Sequence, residues 1–177
     1  MADAAASLRL HVGGETLKAG WTILNIQPGD HVDIAADCTN LSQFASESVA
    51  EIYASHVIEH LDYLEDLPKA LNEFHRVLQV EGVLSISVPD LEVLCRLFLH
   101  PKLDRAARFH VMRIMFGGQM DPHDFHKVGL TEEFLRDYLD VAGFRKVDRI
   151  EKFGLFDDSS SLHLGDIPVS LNLRATR

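Results

Sequence analysis

A strand-like run, Val49-Ala-Glu-Ile-Tyr-Ala-Ser55, leads without a break into His56-Val-Ile-Glu-His60-Leu61. This junction constrains the fold more than any other stretch, because a strand that ends in a turn of polar side chains is where open α/β sheets hold ligands. By spacing alone, His-x-x-Glu-His would put two imidazoles at i and i+4 on one helical face, the ligand arrangement of an inverted zinc-peptidase motif. That arrangement needs a helix long enough to hold both rings and a third ligand at a suitable distance. Barely a turn and a half remains before Asp62. Beyond it, Leu64, Leu67, Leu71, Phe74 and Leu78 recur at helical spacing as a separate amphipathic helix. The histidine pair is therefore expected on a connector, where it lines a ligand or simply packs the loop, and no metal site is expected.

Around this junction, strand and helix signals alternate, the pattern of a mostly parallel sheet covered by helices. Strands are expected at Leu8 to Val12, Trp21 to Ile26, Val32 to Ala35, Val49 to Ser55 and Val83 to Val88, with Pro89 ending the last. Helices are expected at Leu64 to Leu78, Asp90 to Leu99 and Asp104 to Phe116. Another starts at Thr131, an N-cap followed by Glu132 and Glu133, and stops at Gly143. Phe144 to Ile150 and Val169 to Arg174 read as the final strands, with Ser159 to Ser161 as a loop tip between them.

Length and charge narrow the function. A chain of 177 residues with 46% hydrophobic content fits one domain, residues 1–177, with a single core. Against 27 acidic residues stand 17 basic ones, a formal charge of −10 that repels phosphate backbones and anionic lipid surfaces. Neither a nucleic acid nor a membrane is an expected partner. Only Cys38 and Cys95 are present and no apolar leader follows Met1, so a reduced, cytoplasmic setting is expected.

Taken in order, several short motifs resemble the compact class I, seven-stranded methyltransferases that use S-adenosylmethionine. They are Leu10-His-Val-Gly-Gly14, Gly20-Trp21, Pro28-Gly29, Val32-Asp-Ile-Ala-Ala-Asp37, Tyr53-Ala-Ser-His-Val-Ile-Glu-His60 and Phe74-His-Arg-Val-Leu78 before Gly82. The likeness continues through Ile86-Ser-Val-Pro-Asp90 and Thr131-Glu-Glu-Phe-Leu135 to Ala142-Gly-Phe144. It implies a three-layer Rossmann-like α/β fold with an antiparallel final strand, and a cofactor pocket across the C-terminal strand ends. It further implies that Gly13 and Gly14 lie against the methionyl part of the cofactor, Asn25 against the ribose, Asp37 and the Cys38 amide against the adenine edge, and Ser55 and His56 beside the sulfonium. In the bare sequence, Gly13-Gly14 and Asp37 read equally as ordinary turn residues.

The chain departs from the family pattern in three places. The Gly loop is one residue short and puts Glu15 where neutral donors are wanted. Asn25 replaces a carboxylate, exchanging a charge-assisted hydrogen bond for a neutral one, a difference of about 1 kcal/mol. Only Gly13 to Gly20 separate the first two strands, fewer than the dozen or so residues of a helical crossover. An extended link of that length reaches roughly 26 Å, enough to return beside a five-residue strand without a helix. The first crossover helix should then be missing and one sheet face left short of cover. A homodimer, or the Phe98 to Phe116 segment folded across it, would supply that cover. Phe98, Phe109, Met112, Met115 and Phe116 stand at helical spacing and read as core.

The remaining polar concentration is Gly117-Gly-Gln-Met-Asp-Pro-His-Asp-Phe-His-Lys-Val-Gly129. Its glycines and proline make it a loop, and loops on a rigid scaffold carry function. His123, Asp124 and His126 are the candidate catalytic residues, able to take a proton from a hydroxyl or amine before methyl transfer. The same His-x-x-His could hold a metal with His110 or Asp121. Together these readings lead to a methyltransferase acting on an oxygen or nitrogen of a small molecule or sugar. The alternatives are a noncatalytic binding or interaction subunit of the same fold, and a metal-dependent hydrolase.

Overall fold

The computed structural model describes residues 7–177, so the expectation about the chain's first six residues lies outside it. A seven-stranded sheet runs β3-β2-β1-β4-β5-β9-β6. The strands are β1 (Leu8–Val12), β2 (Thr22–Asn25), β3 (Ile34–Ala35), β4 (Val49–Ser55), β5 (Leu78–Pro89) and β6 (Arg145–Arg149), with a hairpin of β7 (His163–Leu164) and β8 (Ile167–Pro168) before β9 (Ser170–Thr176). β1 through β5 pair in parallel, while β9 lies antiparallel to both β5 and β6. The expected Rossmann-like order with its antiparallel last strand is thus present.

The helices are α1 (Asp66–Val77), α2 (Leu91–Phe98), α3 (Arg105–Phe116) and α4 (Glu132–Val141). Three of the starts are capped as the sequence implies: Asp90, Asp104 and Thr131 accept hydrogen bonds from Val93, Ala107 and Phe134 amides. α1 buries Leu67, Ala70, Leu71, Phe74 and Val77, and α4 buries Leu135 and Leu139. Both stripes join the inward residues of the strands, Leu10, Val12, Ile52, Ala54, Leu84 and Ile86, in the main core.

No helix stands between β1 and β2, as the short link requires. The face left bare is covered from within the chain, and not by the 98–116 segment. Phe153 and Phe156, on the connection after β6, pack onto Trp21 and Tyr53. The Phe156 ring centroid lies 3.9 Å from that of His11, 5.0 Å from Tyr53 and 5.3 Å from Trp21. Within a single chain this apolar face is therefore covered. Ser159 to Ser161, expected as a loop tip, instead form a 3-10 turn with Ser160 buried against this layer.

The methionine and aromatic stripe is a second correction. Val111 is the buried residue of α3. Phe98, Phe109 and Phe116 are exposed, because α3 packs on α2 through Val111, Ile114 and Met115 rather than across the sheet. No helix among the described residues is long and apolar enough to cross a membrane. Cys38 and Cys95 are both free thiols, one buried and one exposed.

Candidate functional site

At the C-terminal edge of the sheet the chain leaves β4 through a sharp reversal. His56 adopts φ 54° while its amide donates to the Ser87 carbonyl of β5 at 2.9 Å. A left-handed conformation costs a residue with a side chain roughly 1–2 kcal/mol, and it turns the backbone straight into a 3-10 turn, Ile58–His60. A three-residue turn cannot hold His56 and His60 on one helical face, which removes the zinc-peptidase geometry.

This reversal forms one wall of a cleft of about 490 Å³ across the ends of β1, β2 and β4. Of the residues expected at a cofactor, Gly13, Asn25, Asp37, Cys38 and His56 line it; of those expected at an acceptor, His123 and Asp124 do. Gly14, Ser55 and His126 are not among its walls. Gly14 is buried against the His11 ring, where an added Cβ would come within 2.5 Å. Ser55 follows Tyr53 by two positions and so shares the opposite sheet face. His126 turns inward, with Nε2 4.0 Å from Glu59. Asp121 lines the cleft beside His123, whereas His126 turns inward and His110 sits exposed on α3, so the His-x-x-His pair does not face the cleft together with either.

Several groups are partly spent on the fold. The Gly13 amide donates to the Leu24 carbonyl at 2.8 Å, and an added Cβ there would meet Val57 Cγ2 at 2.4 Å. Asn25 donates to the Gly14 carbonyl and accepts from the Gln27 amide, leaving one N–H and one oxygen lone pair. Asp37 accepts from the Thr39 amide through Oδ1. Both Asp124 oxygens accept loop amides, from Gly118 and Met120, so this carboxylate shapes the loop. Burial, reinforced by Asp37, pushes the Cys38 thiol up to about 12 and makes it inert as a nucleophile. Glu15, Asp37, Asp66, Asp121 and Asp124 face the cleft against one lysine, Lys127. The cleft lining therefore carries an excess of negative charge.

Beneath it lies Glu59, a carboxylate 1% exposed that sequence reasoning left without a role, since a glutamate between apolar and polar neighbours on a turn reads as a surface charge. His56 Nδ1 stands 3.2 Å from Glu59 Oε1. On its other side His56 Nε2 lies 3.0 Å from Ser170 Oγ, whose own proton goes to the Ser159 carbonyl. His56 must therefore donate through Nε2, and a second proton on Nδ1 would make it an imidazolium facing the carboxylate. Burial alone would raise the Glu59 carboxyl, but His56, then His60 and His126, reverse this and hold it below its ordinary range. Burial outweighs Glu59 in His126, whose pKa is lowered.

Residues 17–86 match the family model for a methyltransferase domain. The sheet order, the cleft position and this match agree. This chain has the fold of the class I, seven-stranded methyltransferases. A methyltransferase from Archaeoglobus fulgidus dependent on S-adenosylmethionine superposes with a TM-score of 0.60 at 17% identity, over 98% of this chain and 87% of that one. The plantazolicin methyltransferase BamL, solved with S-adenosylhomocysteine, gives 0.58 at 15% identity over 97% and 77%. A Burkholderia thailandensis N1-methyltransferase, solved with S-adenosylhomocysteine and 1,6-didemethyltoxoflavin, gives 0.54 at 15% identity over 96% and 70%. Other similar structures are longer, and this chain spans 48% to 64% of several. A search of curated protein sequences finds no match.

Proposed function

We propose that the chain binds S-adenosylmethionine in the 490 Å³ cleft and transfers its methyl group to an oxygen or nitrogen of a small molecule or sugar. The observation that carries this reading is the excess of carboxylates lining a cleft at the strand ends, because S-adenosylmethionine is cationic overall. Bound there, it supplies a methyl group on a sulfonium, electrophilic without further activation. The residues present fit it: Asp37 keeps one oxygen for the adenine amino group, and Asn25 keeps one donor and one acceptor for the ribose. Gly13 permits close approach by lacking a side chain, although its amide is not available to the ligand. The acceptor enters past the 117–129 loop, where the exposed His123 is placed to take a proton. His126, turned onto Glu59, acts by supporting that loop from below.

A second reading, a noncatalytic binding subunit of the same fold, is favoured by Glu15 at the cleft and by the committed amide of Gly13. Calorimetric titration of the metal-stripped chain with S-adenosylmethionine and S-adenosylhomocysteine tests both. One-to-one micromolar binding, about −8 kcal/mol, that weakens in Asp37→Ala supports the cleft assignment and opens an acceptor screen. Absence of binding to folded protein removes the methyltransferase reading.

A further inference from the structure

Glu59, His60 and His126 each offer a ligand-type atom, and the three atoms lie within 4.8 Å of one another. Glu59 and His60 come from the turn after β4, and His126 arrives 66 positions later in sequence on the loop before α4. Neither oxygen of the buried Glu59 has a well-formed hydrogen bond in the described structure. With His56 Nδ1, 3.2 Å from Oε1, the one near donor among the described residues, burial of this carboxylate is costly, and a cation beside it would offset that cost.

One of the imidazoles is oriented by a backbone carbonyl. His60 Nδ1 lies 3.2 Å from the Phe125 carbonyl, to which it donates, leaving Nε2 as the free lone pair. His126 is turned so that its Nε2 faces Glu59 at 4.0 Å. Carbonyl partners of this kind fix the tautomer and direction of histidines that bind metal. The two rings meet edge to face with centroids 4.8 Å apart, so their planes diverge around a shared point instead of stacking.

We infer that Glu59, His60 and His126 form a binding site for one divalent transition-metal ion of the zinc class. Two imidazoles and one carboxylate are the donor set of zinc and of nonhaem iron, and exclude calcium or magnesium, which take oxygen ligands. Ligand pairs around a tetrahedral ion stand roughly 3.4 Å apart, so side-chain movements of about 1 Å close the set. With three protein ligands one coordination position stays open. His60 also lines the cleft, so an ion held here would sit beside it.

The test uses the untagged chain after chelator treatment, titrated with Co2+ and then Zn2+. One Co2+ per chain should bind with visible d–d absorption, and Zn2+ should displace it. His60→Ala and His126→Ala should each weaken binding ~100-fold or more, while His110→Ala, on exposed α3, leaves it unchanged. Circular dichroism of each variant confirms that it is folded. Glu59→Gln, the more disruptive change, adds a third ligand test if it folds. No stoichiometric metal, or equal affinity in folded His60→Ala and His126→Ala, overturns the site. The readout involves no methyl transfer, so it stands or falls apart from the proposed function.

Discussion

The Tyr53 hydroxyl lies 2.8 and 3.1 Å from the two carboxylate oxygens of Asp158, joining the buried centre of β4 to a connection 105 residues away. Burial holds this phenol protonated well above its ordinary range, so it serves as a donor at any accessible pH. The contact fixes the segment that stands in for the missing crossover helix. Tyr53→Phe should therefore destabilise the fold by about 1.5–3 kcal/mol, the value of a hydrogen bond to a charged group. Asp158 keeps the Ser160 amide in the variant, which makes the lower half of that range the expected result. Urea unfolding measures it; a loss under about 0.5 kcal/mol would mean the aromatic packing alone seats the segment.

Gly13 holds φ 69° and its missing Cβ is where Val57 Cγ2 sits. Gly13→Ala should cost stability twice, through the left-handed backbone, about 1–2 kcal/mol, and through overpacking of a similar size. Val57→Ala removes the second part and not the first. The double variant should thus recover part of the loss, and additive losses in a double-mutant cycle would show that the two side chains do not compete for this space.

His11 is buried between Phe156 and Tyr53 with Nδ1 unpartnered, and burial lowers its pKa to about 4 against the opposing pull of Asp158. The unfolded chain, with an ordinary histidine near 6.5, then binds a proton that the folded chain refuses between these two values. Stability rises with pH across that window and this group adds no slope above it. A fall of about 1 kcal/mol per pH unit is expected from pH 6.5 toward 4. His11→Phe should flatten the profile, read from urea midpoints at pH 7 and 5. An unchanged slope in the variant would assign acid sensitivity to other groups.

The strands that could be read from sequence are those with apolar side chains on both faces, such as Leu8–Val12 and Val49–Ser55, whose bounds match the structure. β5 extends back to Leu78 because α1 hands over to it directly, with Glu81 at φ 63° and Gly82 bending the chain where sequence implied a loop. The β7–β8 hairpin was legible in principle, since Gly165 and Asp166 make a two-residue turn between short apolar runs. Phe153 and Phe156 carried no such signal. Nothing local in Phe-Gly-Leu-Phe says that it will replace a helix, because its partner surface is formed by strands more than 100 positions earlier. The same holds for Glu59, whose meaning depends on His126 arriving from a distant loop.

The charge of the cleft gives the proposed cofactor a salt signature. Five carboxylates and one lysine face it, and most of these side chains are open to solvent. S-adenosylmethionine carries one positive charge more than S-adenosylhomocysteine, and at about 4 Å in a water-like medium each unit pair is worth about 1 kcal/mol. Raising salt from 50 to 500 mM shortens the Debye length to a few ångströms and removes most of that attraction. The affinity for S-adenosylmethionine should therefore fall several-fold further than that for S-adenosylhomocysteine. Glu15→Gln should narrow the gap, since Glu15 stands at the mouth and is exposed to the same screening. Calorimetry at both salt concentrations makes the comparison, and parallel losses for the two ligands would place the sulfonium away from these carboxylates.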